Sequence, residues 1–471
     1  MLADHQTKVA ILLIAFLLMV AITYWQPMLG VLVYLSSIGL DYLLSQFGFN
    51  TSQTISVGQG MLVTLTLTVM LKQHLAPVRT PWAVLWLWGG LVLFITSLWA
   101  SCAFGLALTR SVMPSAVITA NVALPITLFY VVTTTKRFQQ LLWALGIAAT
   151  LAAAIGCLQY AGVLLTLSQD QRQTVEDTRG SVMEYQANTS LASQGTRYAG
   201  PTSNPNGFAA VLMGGIPALL FLPTLLRSLW AKLTTFTFLG ICCFALLLTM
   251  SRTHILGFFF VALFITLFNR GRHWLTRLLY FMVGTATLVL FTFGMFQLEG
   301  VNERLYAGFT DGGDTSSQTR AMVALGGLRA WIEHPLLGLG LNNTQIGGYN
   351  PTGNASHDIF TTLLGELGTF GFIAFALVVY QAVQLIRRAP ADSPSNGEEP
   401  IIQLVGPFLL ISLLVCLGSG LGDPVIDNRN LWILLGMCAC AHHIATLQSA
   451  EVEAAATDEL MEPGDALPTA A

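Results

Sequence analysis

The chain has 471 residues, of which 54% are hydrophobic and only 10% are charged. Soluble globular proteins carry roughly 25% charged residues. Together with a mean hydropathy of +0.66, this composition excludes a soluble enzyme, a nucleic-acid-binding protein and a disordered protein. The formal net charge is −3, and six acidic residues follow Arg429, the last basic residue of the chain. The composition therefore indicates an integral membrane protein with a short acidic tail.

Apolar runs recur along the whole chain. A helix that crosses a bilayer needs about 20 apolar residues, because lipid offers the backbone no hydrogen-bond partners. Uncharged runs occupy residues 82–109, 138–163, 208–226, 233–250, 253–269, 278–296 and 401–422. The uncharged run 9–40 is long enough for more than one pass. Weaker candidates are residues 55–71, 113–133, 359–386 and 431–447. The sequence therefore predicts an all-α, polytopic membrane protein with about 12 transmembrane helices.

The N-terminal runs leave the number of spans open between 12 and 13. Thirteen spans result if residues 9–47 cross twice, which would put the N-terminus outside. Twelve spans place both ends inside, in better agreement with Lys8, if residues 29–47 are an interfacial or re-entrant segment. Asp41 within that segment favours the second arrangement, and we predict twelve.

The basic residues are distributed unevenly between alternate loops. Twelve of the 21 fall on the side that the positive-inside rule makes cytoplasmic, namely Lys8, Lys72, Arg79, Lys136, Arg137, Arg227, Lys232, Arg270, Arg272, Arg277, Arg387 and Arg388. The other nine are all arginine, namely Arg110, Arg172, Arg179, Arg197, Arg252, Arg304, Arg320, Arg329 and Arg429. Two interpretations are open: chance, or the binding of planar oxyanions such as phosphate, which the guanidinium fork suits.

The order of spans and loops divides the chain into six segments. They are an N-terminal transmembrane bundle (1–163), an outer loop (164–207), central transmembrane helices (208–296), a large outer loop (297–358), C-terminal transmembrane helices (359–447) and an acidic, disordered cytoplasmic tail (448–471). Long loops beside compact spans are usually functional or disordered. The polar chemistry is therefore expected on the outer face.

No motif indicates a metal or a nucleotide. The sequence has no GxxxxGK[ST] loop and no HExxH motif. The group Cys438, Cys440, His442 and His443 resembles a metal site, but it lies in an apolar run, where cysteine usually serves as a small apolar filler. All seven cysteines lie in hydrophobic stretches, which excludes a disulfide framework in the two outer loops. We expect no cofactor and no metal.

Three polar residues near the predicted outer face can carry chemistry. His357 lies where the large loop meets a membrane helix, and histidine is the side chain best suited to accept a proton near neutral pH. Arg252 lies between two adjacent spans and Arg320 in the large loop, where both could hold an anionic group. The alternatives are an exposed loop histidine and arginines that snorkel to the headgroups. Glu366 lies nine residues after His357, so a regular helix would turn it to the opposite side and give it a packing or hydrogen-bonding role.

At these residues the sequence resembles the O-antigen ligase and polymerase superfamily of bacterial envelope enzymes. Four blocks match its pattern in order and spacing: Arg…Asn-Pro-Asn (197–206), Thr-x-Ser-Arg-Thr (249–253), Arg…Pro-x-x-Gly-x-Gly…His…Gly-Glu-x-Gly-x-x-Gly (320–371) and Asp-Pro…Asn-Leu-Trp (423–432). The resemblance covers roughly the second half of the chain. The first 190 residues share only the hydropathy pattern.

The resemblance implies a GT-C-like membrane fold in the bacterial inner membrane, with an active site in the large periplasmic loop between the spans at 278–296 and 359–386. It implies that a glycan passes from undecaprenyl diphosphate to an acceptor hydroxyl, such as that of lipid A-core, among membrane lipids and without metal or nucleotide. The implied roles are His357 as the general base, Arg252 and Arg320 as diphosphate ligands, and Arg197, Asn206 and Glu366 as supporting residues.

Two alternative functions remain at this stage. A polymerase of the same superfamily would use another lipid-linked repeat as its acceptor. A transporter for a small anion such as bicarbonate belongs to a different functional class, and a related branch that shares the Asn-Pro-Asn and Ser-Arg segments lacks the histidine. The presence of His357 and the scarcity of ionisable residues within the spans favour the transferase.

Overall fold

The computed structural model describes residues 17–38, 57–75, 80–161, 198, 200–202, 205–268, 282, 284–286, 289, 315–346, 348–350, 358–390, 401–420 and 425–461. Every regular element in these ranges is helical, which confirms the predicted all-α class. Eight helices there are long and apolar enough to cross a membrane. The total of about 12 stays a prediction, because residues 39–54 and nearly all of 278–296 lie outside these ranges.

We number the longer helices α1 to α12 in chain order. They are α1 (Pro27–Ile38), α2 (Val57–Leu75), α3 (Trp82–Phe104), α4 (Leu108–Val131), α5 (Thr135–Tyr160), α6 (Pro205–Leu225), α7 (Leu229–Thr249), α8 (Arg252–Phe268), α9 (Thr315–Glu333), α10 (Ile359–Arg387), α11 (Ile401–Ser419) and α12 (Arg429–Met461). Within α10, a π-helical turn (Thr362–Glu366) separates a short α-helical start from the longer segment Leu367–Arg387. A 3₁₀ turn (Val425–Asp427) precedes α12.

The helices pack around two apolar clusters. The larger cluster contains Phe94, Phe129 and Trp432, all fully buried, and joins α3, α4, α10 and α12. The smaller one is centred on Phe208 and Leu212 and joins α5 to α8. Small residues let helix backbones approach closely where lipid supplies no hydrophobic driving force between helices. Gly215 of α6 illustrates this, because a Cβ at that position would overlap the backbone of α5.

Consecutive spanning helices run in opposite directions, as α5 and α6 do, where Gly146 lies against Leu219 and Gly156 against Phe208. Alternate connections between the spanning helices therefore lie at the same end of the bundle. We call the end where α3, α7 and α11 finish the Arg252 end. The opposite end carries basic residues that the sequence assigned to a single side, namely Lys72, Lys136, Arg137, Arg227, Lys232, Arg387 and Arg388. This distribution is the one expected if the Arg252 end faces away from the cytoplasm.

Described helices lie within three of the predicted loop and tail segments. The large loop 297–358 contains a five-turn helix, α9, whose mixed composition gives no hydropathy signal. The helix α6 begins at Pro205, within the predicted loop 164–207, because proline is well suited to the first position of a helix. The helix α12 continues to Met461, through the first part of the tail 448–471 for which disorder was expected. Ala and Glu make up half of this extension, and both favour helix.

Candidate functional site

The predicted site residues fall into three groups. Arg252, Asn206 and Glu366 lie in described helices near the Arg252 end. Arg320 belongs to α9, of which the structure gives the backbone at this position. His357 and Arg197 lie outside the described residues, although the residues that follow them, Asp358 and Tyr198, are inside.

Arg252 is the first residue of α8 and follows a tight turn. Met250 ends α7 with a left-handed backbone (φ 51°), and the Ser251 N–H donates to Thr249 Oγ1 over 3.2 Å. The Ser251 hydroxyl lies 2.8 Å from His254 Nδ1, one turn into α8, and both side chains are buried. Arg252 itself is exposed. A helix N-terminus presents free N–H groups and a positive dipole end, so the guanidinium and the helix start both favour an anion here.

The segment that follows Arg197 is fixed against this turn. The Tyr198 N–H donates to the Leu248 carbonyl in the last turn of α7 over 3.2 Å. Its ring packs edge-on against Tyr160 with 5.6 Å between the centroids. The Gly200 carbonyl accepts from Gln159 Nε2 over 2.9 Å. The structure thus brings the residues that follow Arg197 beside the turn that precedes Arg252.

The helix α11 connects the Arg252 turn to α10. The helices α8 and α11 are antiparallel and touch closely at Gly257, where a Cβ would lie 2.8 Å from the side chain of Val415. Arg252 precedes Gly257 by five residues, and Gly420 follows Val415 by five. At 1.5 Å per residue, Arg252 and Gly420 therefore lie at about the same level of the bundle.

The residue after His357 is anchored to the end of α11. Asp358 caps α10, since its Oδ1 accepts from the Thr361 N–H over 2.6 Å and its other carboxyl oxygen accepts from the Thr361 hydroxyl. The next residue, Ile359, donates its N–H to the Gly420 carbonyl over 2.7 Å. The backbone on the C-terminal side of His357 is thus fixed at the level of Arg252.

The helix α9 packs tightly on the start of α10. A Cβ at Gly327 would overlap the side chain of Thr361, and a Cβ at Gly365 would lie 2.8 Å from the Gly327 carbonyl oxygen. Arg320 precedes Gly327 by seven residues, which is two turns and about 10 Å along the axis on the same helix face. The face of α9 that contacts α10 is therefore the one on which the Arg320 backbone lies.

We predict that Gly327→Ala destabilises the protein, because the new methyl group has no room against Thr361. Overpacking of this kind costs about 1–3 kcal/mol. Thermal unfolding of the purified protein in detergent measures the effect. Gly89→Ala is the control, because nothing lies within 4 Å of a Cβ at this helical position. It should leave Tm unchanged or raise it, and an equal loss in both variants would contradict the close contact.

The loop between α9 and α10 is held by backbone and side-chain hydrogen bonds to the π-helical turn. Its glycines Gly338 (φ 67°) and Gly340 (φ 86°) have left-handed backbones, in which a side chain would be strained. Gly368 of α10 (φ 70°) interrupts the regular helix directly opposite. The Gly-x-Gly pattern of the loop and the Gly-Glu-x-Gly pattern of α10 therefore pack directly against each other.

Glu366 is 2% exposed, and its carboxyl group contacts this loop. Oε1 accepts from the Thr344 hydroxyl over 2.6 Å, and Oε2 accepts from the Asn342 N–H over 3.0 Å. The hydrogen-bonding role predicted for Glu366 is what the structure shows. The estimate that it faces away from His357 assumed a regular helix, whereas a π-helical turn and a cap at Asp358 separate the two residues.

Two serines of the N-terminal bundle also contact this region, one at the π-helical turn and one at the loop, although no sequence motif contains them. The Ser101 hydroxyl of α3 donates to the Glu366 carbonyl oxygen over 2.5 Å. The Ser111 hydroxyl of α4 donates to the Leu341 carbonyl and accepts from Asn343 Nδ2. A hydroxyl side chain in an apolar run is only a weak signal for them, since Thr96 and Ser97 give the same signal in the run of Ser101. Ser101 lies about 28 Å along α3 from Trp82, so the contact sits near the edge of a 30 Å hydrocarbon core.

A cavity of about 40 Å³ lies below the Arg252 turn, between α6, α8, α11 and α12. Its polar lining includes His254, Ser412 and Asn430. The Asn430 side chain donates to the Ala210 carbonyl over 2.6 Å, while the buried Ser412 hydroxyl has no protein partner. The space is sufficient for a few water molecules. The fourth sequence block, which contains Asn430, therefore joins the same end of the bundle as the other three.

An exposed cluster on α9 links the helix to the loop that leads to His357. Arg329 Nε donates to Glu333 over 2.9 Å, and the Tyr349 hydroxyl donates to the other carboxyl oxygen of Glu333 over 2.6 Å. The hydrogen bonds from Tyr349 and Arg329 hold the pKa of Glu333 below its ordinary value. The ionised form of Glu333 is therefore the one that stabilises the folded protein. This stabilisation is fully present above the ordinary pKa of a glutamate, and it is lost as the pH falls through the lowered pKa of Glu333.

The cysteine and histidine group of α12 is dispersed along a buried helix. His442 Nδ1 lies 2.9 Å from the Leu385 carbonyl oxygen, and His443 packs against Phe129. Cys438 and Cys440 are fully buried in the apolar core. Within the described part of the chain, no three His, Cys, Asp or Glu residues converge as a metal site would require.

Comparison with known protein families finds a match in the region from α7 to α10. Residues 237–376 match the family model described as O-antigen ligase. The matched segment runs from α7 to α10 and includes the Arg252 turn, α9 and the Asp358 cap. It confirms the resemblance to the O-antigen ligase and polymerase superfamily that the sequence blocks indicated. No curated protein matches the chain.

Proposed function

On the premise that residues 237–376 are an O-antigen ligase domain, we propose that the protein is a glycosyltransferase of the O-antigen ligase type. It moves a glycan from undecaprenyl diphosphate to an acceptor hydroxyl, with lipid A-core as the expected acceptor, at the periplasmic face of the bacterial inner membrane. The observation that carries the proposal is this family match, which covers the Arg252 turn, the helix of Arg320 and the start of α10.

The proposed reaction needs a base on one side of the sugar and cations on the other. His357 takes the proton from the acceptor hydroxyl, whose oxygen then bonds to the anomeric carbon of the donor sugar. The bond from that carbon to the diphosphate oxygen breaks, and the diphosphate leaves with the electron pair. Arg252 and Arg320 stabilise its developing charge, and the N-terminus of α8 adds a further positive end. Arg197, Asn206 and Glu366 act as supporting residues.

This division of roles agrees with what the described residues show. Arg252 is exposed at a helix start that favours an anion, while the anchored Asp358 fixes the chain next to His357 at about the same level. Arg252 and the residue that follows His357 thus both belong to helix starts. The chemistry requires neither a metal nor a nucleotide.

A polymerase of the same superfamily would use the same donor but extend a second lipid-linked repeat. Deletion of the gene in its host, followed by gel analysis of lipopolysaccharide, separates the two. A ligase mutant should accumulate lipid-linked polymer beside bare core, whereas a polymerase mutant should leave single repeats on the core. A normal ladder in the deletion strain would contradict both. An anion transporter finds no support in the family match, and flux of labelled bicarbonate into proteoliposomes would be needed to revive it.

A further inference from the structure

The carboxyl group of Glu366 occupies an unusual place for an acidic residue. It is 2% exposed, it lies where α3 approaches the edge of the expected hydrocarbon core, and it belongs to a π-helical turn. Both of its oxygens face the loop that connects α9 to α10, through the Thr344 hydroxyl and the Asn342 N–H. Burial of an ionisable carboxyl group is unfavourable in free energy, so such a residue is expected to have a specific functional role.

The backbone of the same turn binds the same loop. The Glu366 carbonyl oxygen accepts from the Gly340 N–H over 2.9 Å, and the Gly365 carbonyl accepts from the Leu339 N–H over 3.1 Å. These carbonyls are available because the π-helical turn and the left-handed Gly368 interrupt the regular helical hydrogen bonding. The loop is thus attached at 339 and 340 by the backbone, and at 342 and 344 by the side chain alone.

The side-chain attachment comes at an unusual backbone conformation of the loop. Asn342 has a left-handed backbone (φ 59°), which a non-glycine residue adopts rarely and keeps only when its surroundings hold it. Thr344 is fully buried, and the chain reaches His357 thirteen residues later. On the other side of the loop, α9 leads back to Arg320. Glu366 belongs to α10, whose cap Asp358 directly follows His357, and its partners belong to the loop that follows α9, the helix of Arg320. The side chain therefore links the element next to the proposed base with the element that carries a proposed diphosphate ligand.

We infer that Glu366 is a positioning residue that latches the Asn342–Thr344 turn and thereby sets the place of His357 relative to Arg320. The inference rests on the proposed function for its effect on catalysis. The latch requires two hydrogen-bond partners but no transferable proton. Glutamine can supply both, because its carbonyl oxygen can accept from the Asn342 N–H while its amide donates to Thr344 Oγ1, which can also act as an acceptor.

The test compares Glu366→Ala and Glu366→Gln in amide hydrogen exchange and in transfer assays. In Glu366→Ala, the Asn342 amide should exchange at least tenfold faster, whereas the Gly340 amide should stay protected because it binds a backbone oxygen. The value of kcat should fall about 10- to 100-fold with little change in the KM of the donor, as expected for misplacement rather than lost binding. Glu366→Gln should restore both readouts to within a few-fold of the wild type. Glu451→Gln, at an exposed glutamate in the C-terminal part of α12, is the control and should change neither.

Each departure from this pattern overturns a definite part of the inference. Unchanged exchange at Asn342 in Glu366→Ala would exclude the latch. Fast exchange at Asn342 with full kcat would exclude the positioning role. An inactive Glu366→Gln that keeps its exchange pattern would show that the carboxyl group itself enters the chemistry. If Glu366→Ala fails to insert, Thr344→Val removes one of the two bonds and answers the same questions. If the wild type transfers no glycan, the proposed function fails, while the exchange comparison still decides the latch.

Discussion

Replacement of His357 by alanine should abolish glycan transfer while leaving the protein inserted and folded. A general base contributes about 10²–10⁴ in rate, so kcat should fall to the lower limit of detection. The structure makes the folded outcome reasonable, since α10 begins at Ile359 and its cap is Asp358, which the substitution leaves in place. Transfer measured on purified protein, together with thermal unfolding in detergent, checks both parts of the prediction.

The matched control for this variant is His334→Ala. His334 is an exposed histidine that directly follows α9 in the same predicted loop, and it has no proposed role. Its replacement should leave transfer within about twofold of the wild type, as is usual for surface substitutions. Full activity of His357→Ala would overturn the assignment of the base. Equal losses in both variants would indicate that the loop tolerates no change, rather than that one histidine is catalytic.

Replacement of the proposed diphosphate arginines should produce the second-largest effect. Arg252→Ala and Arg320→Ala should each lower kcat by about 10²–10³, the usual result when one group that stabilises developing negative charge is removed. Lysine at either position should restore only part of the rate, because an ammonium group cannot bind two phosphate oxygens in the manner of a guanidinium fork. The assay is the same transfer reaction, with donor and acceptor concentrations varied separately.

Arg110→Ala provides the control for general loss of positive charge. Arg110 is an exposed arginine of α4 at the Arg252 end, outside the four sequence blocks. Its removal should change transfer little. If all three alanine variants lost activity equally, the arginines would act only through their summed charge on an anionic lipid. If Arg252→Ala kept full activity, the helix start at α8 would not be the diphosphate site.

Much of the fold follows from the sequence because the bilayer imposes a simple length rule. The apolar runs 138–163 and 401–422 match α5 and α11 within a few residues, and lipid permits no other regular structure for them. The length rule did not predict α9, because polar residues fill its first turns and Arg320 and Arg329 interrupt its apolar residues.

The residues of the candidate site could be predicted from the sequence, but the contacts between them could not. The four blocks pointed to the residues, yet nothing in their spacing shows that Gly340 meets Glu366 or that α11 joins Arg252 to the start of α10. Such contacts depend on left-handed glycines and a π-helical turn, which no periodicity reveals. Ser101 was missed for a related reason, since one hydroxyl in an apolar run carries no pattern until its partner on α10 is known.

The most direct test of the proposed function is glycan transfer by the purified protein in EDTA. The donor is undecaprenyl-diphosphate-linked oligosaccharide, supplied with and without lipid A-core, and wild type and His357→Ala are run side by side. The proposal predicts transfer to lipid A-core by the wild type alone. Elongation of donor on donor would instead identify a polymerase, and transfer that EDTA abolishes would contradict the metal-independent mechanism. Absence of transfer to every acceptor, by a protein shown to be folded, would contradict the proposed function altogether.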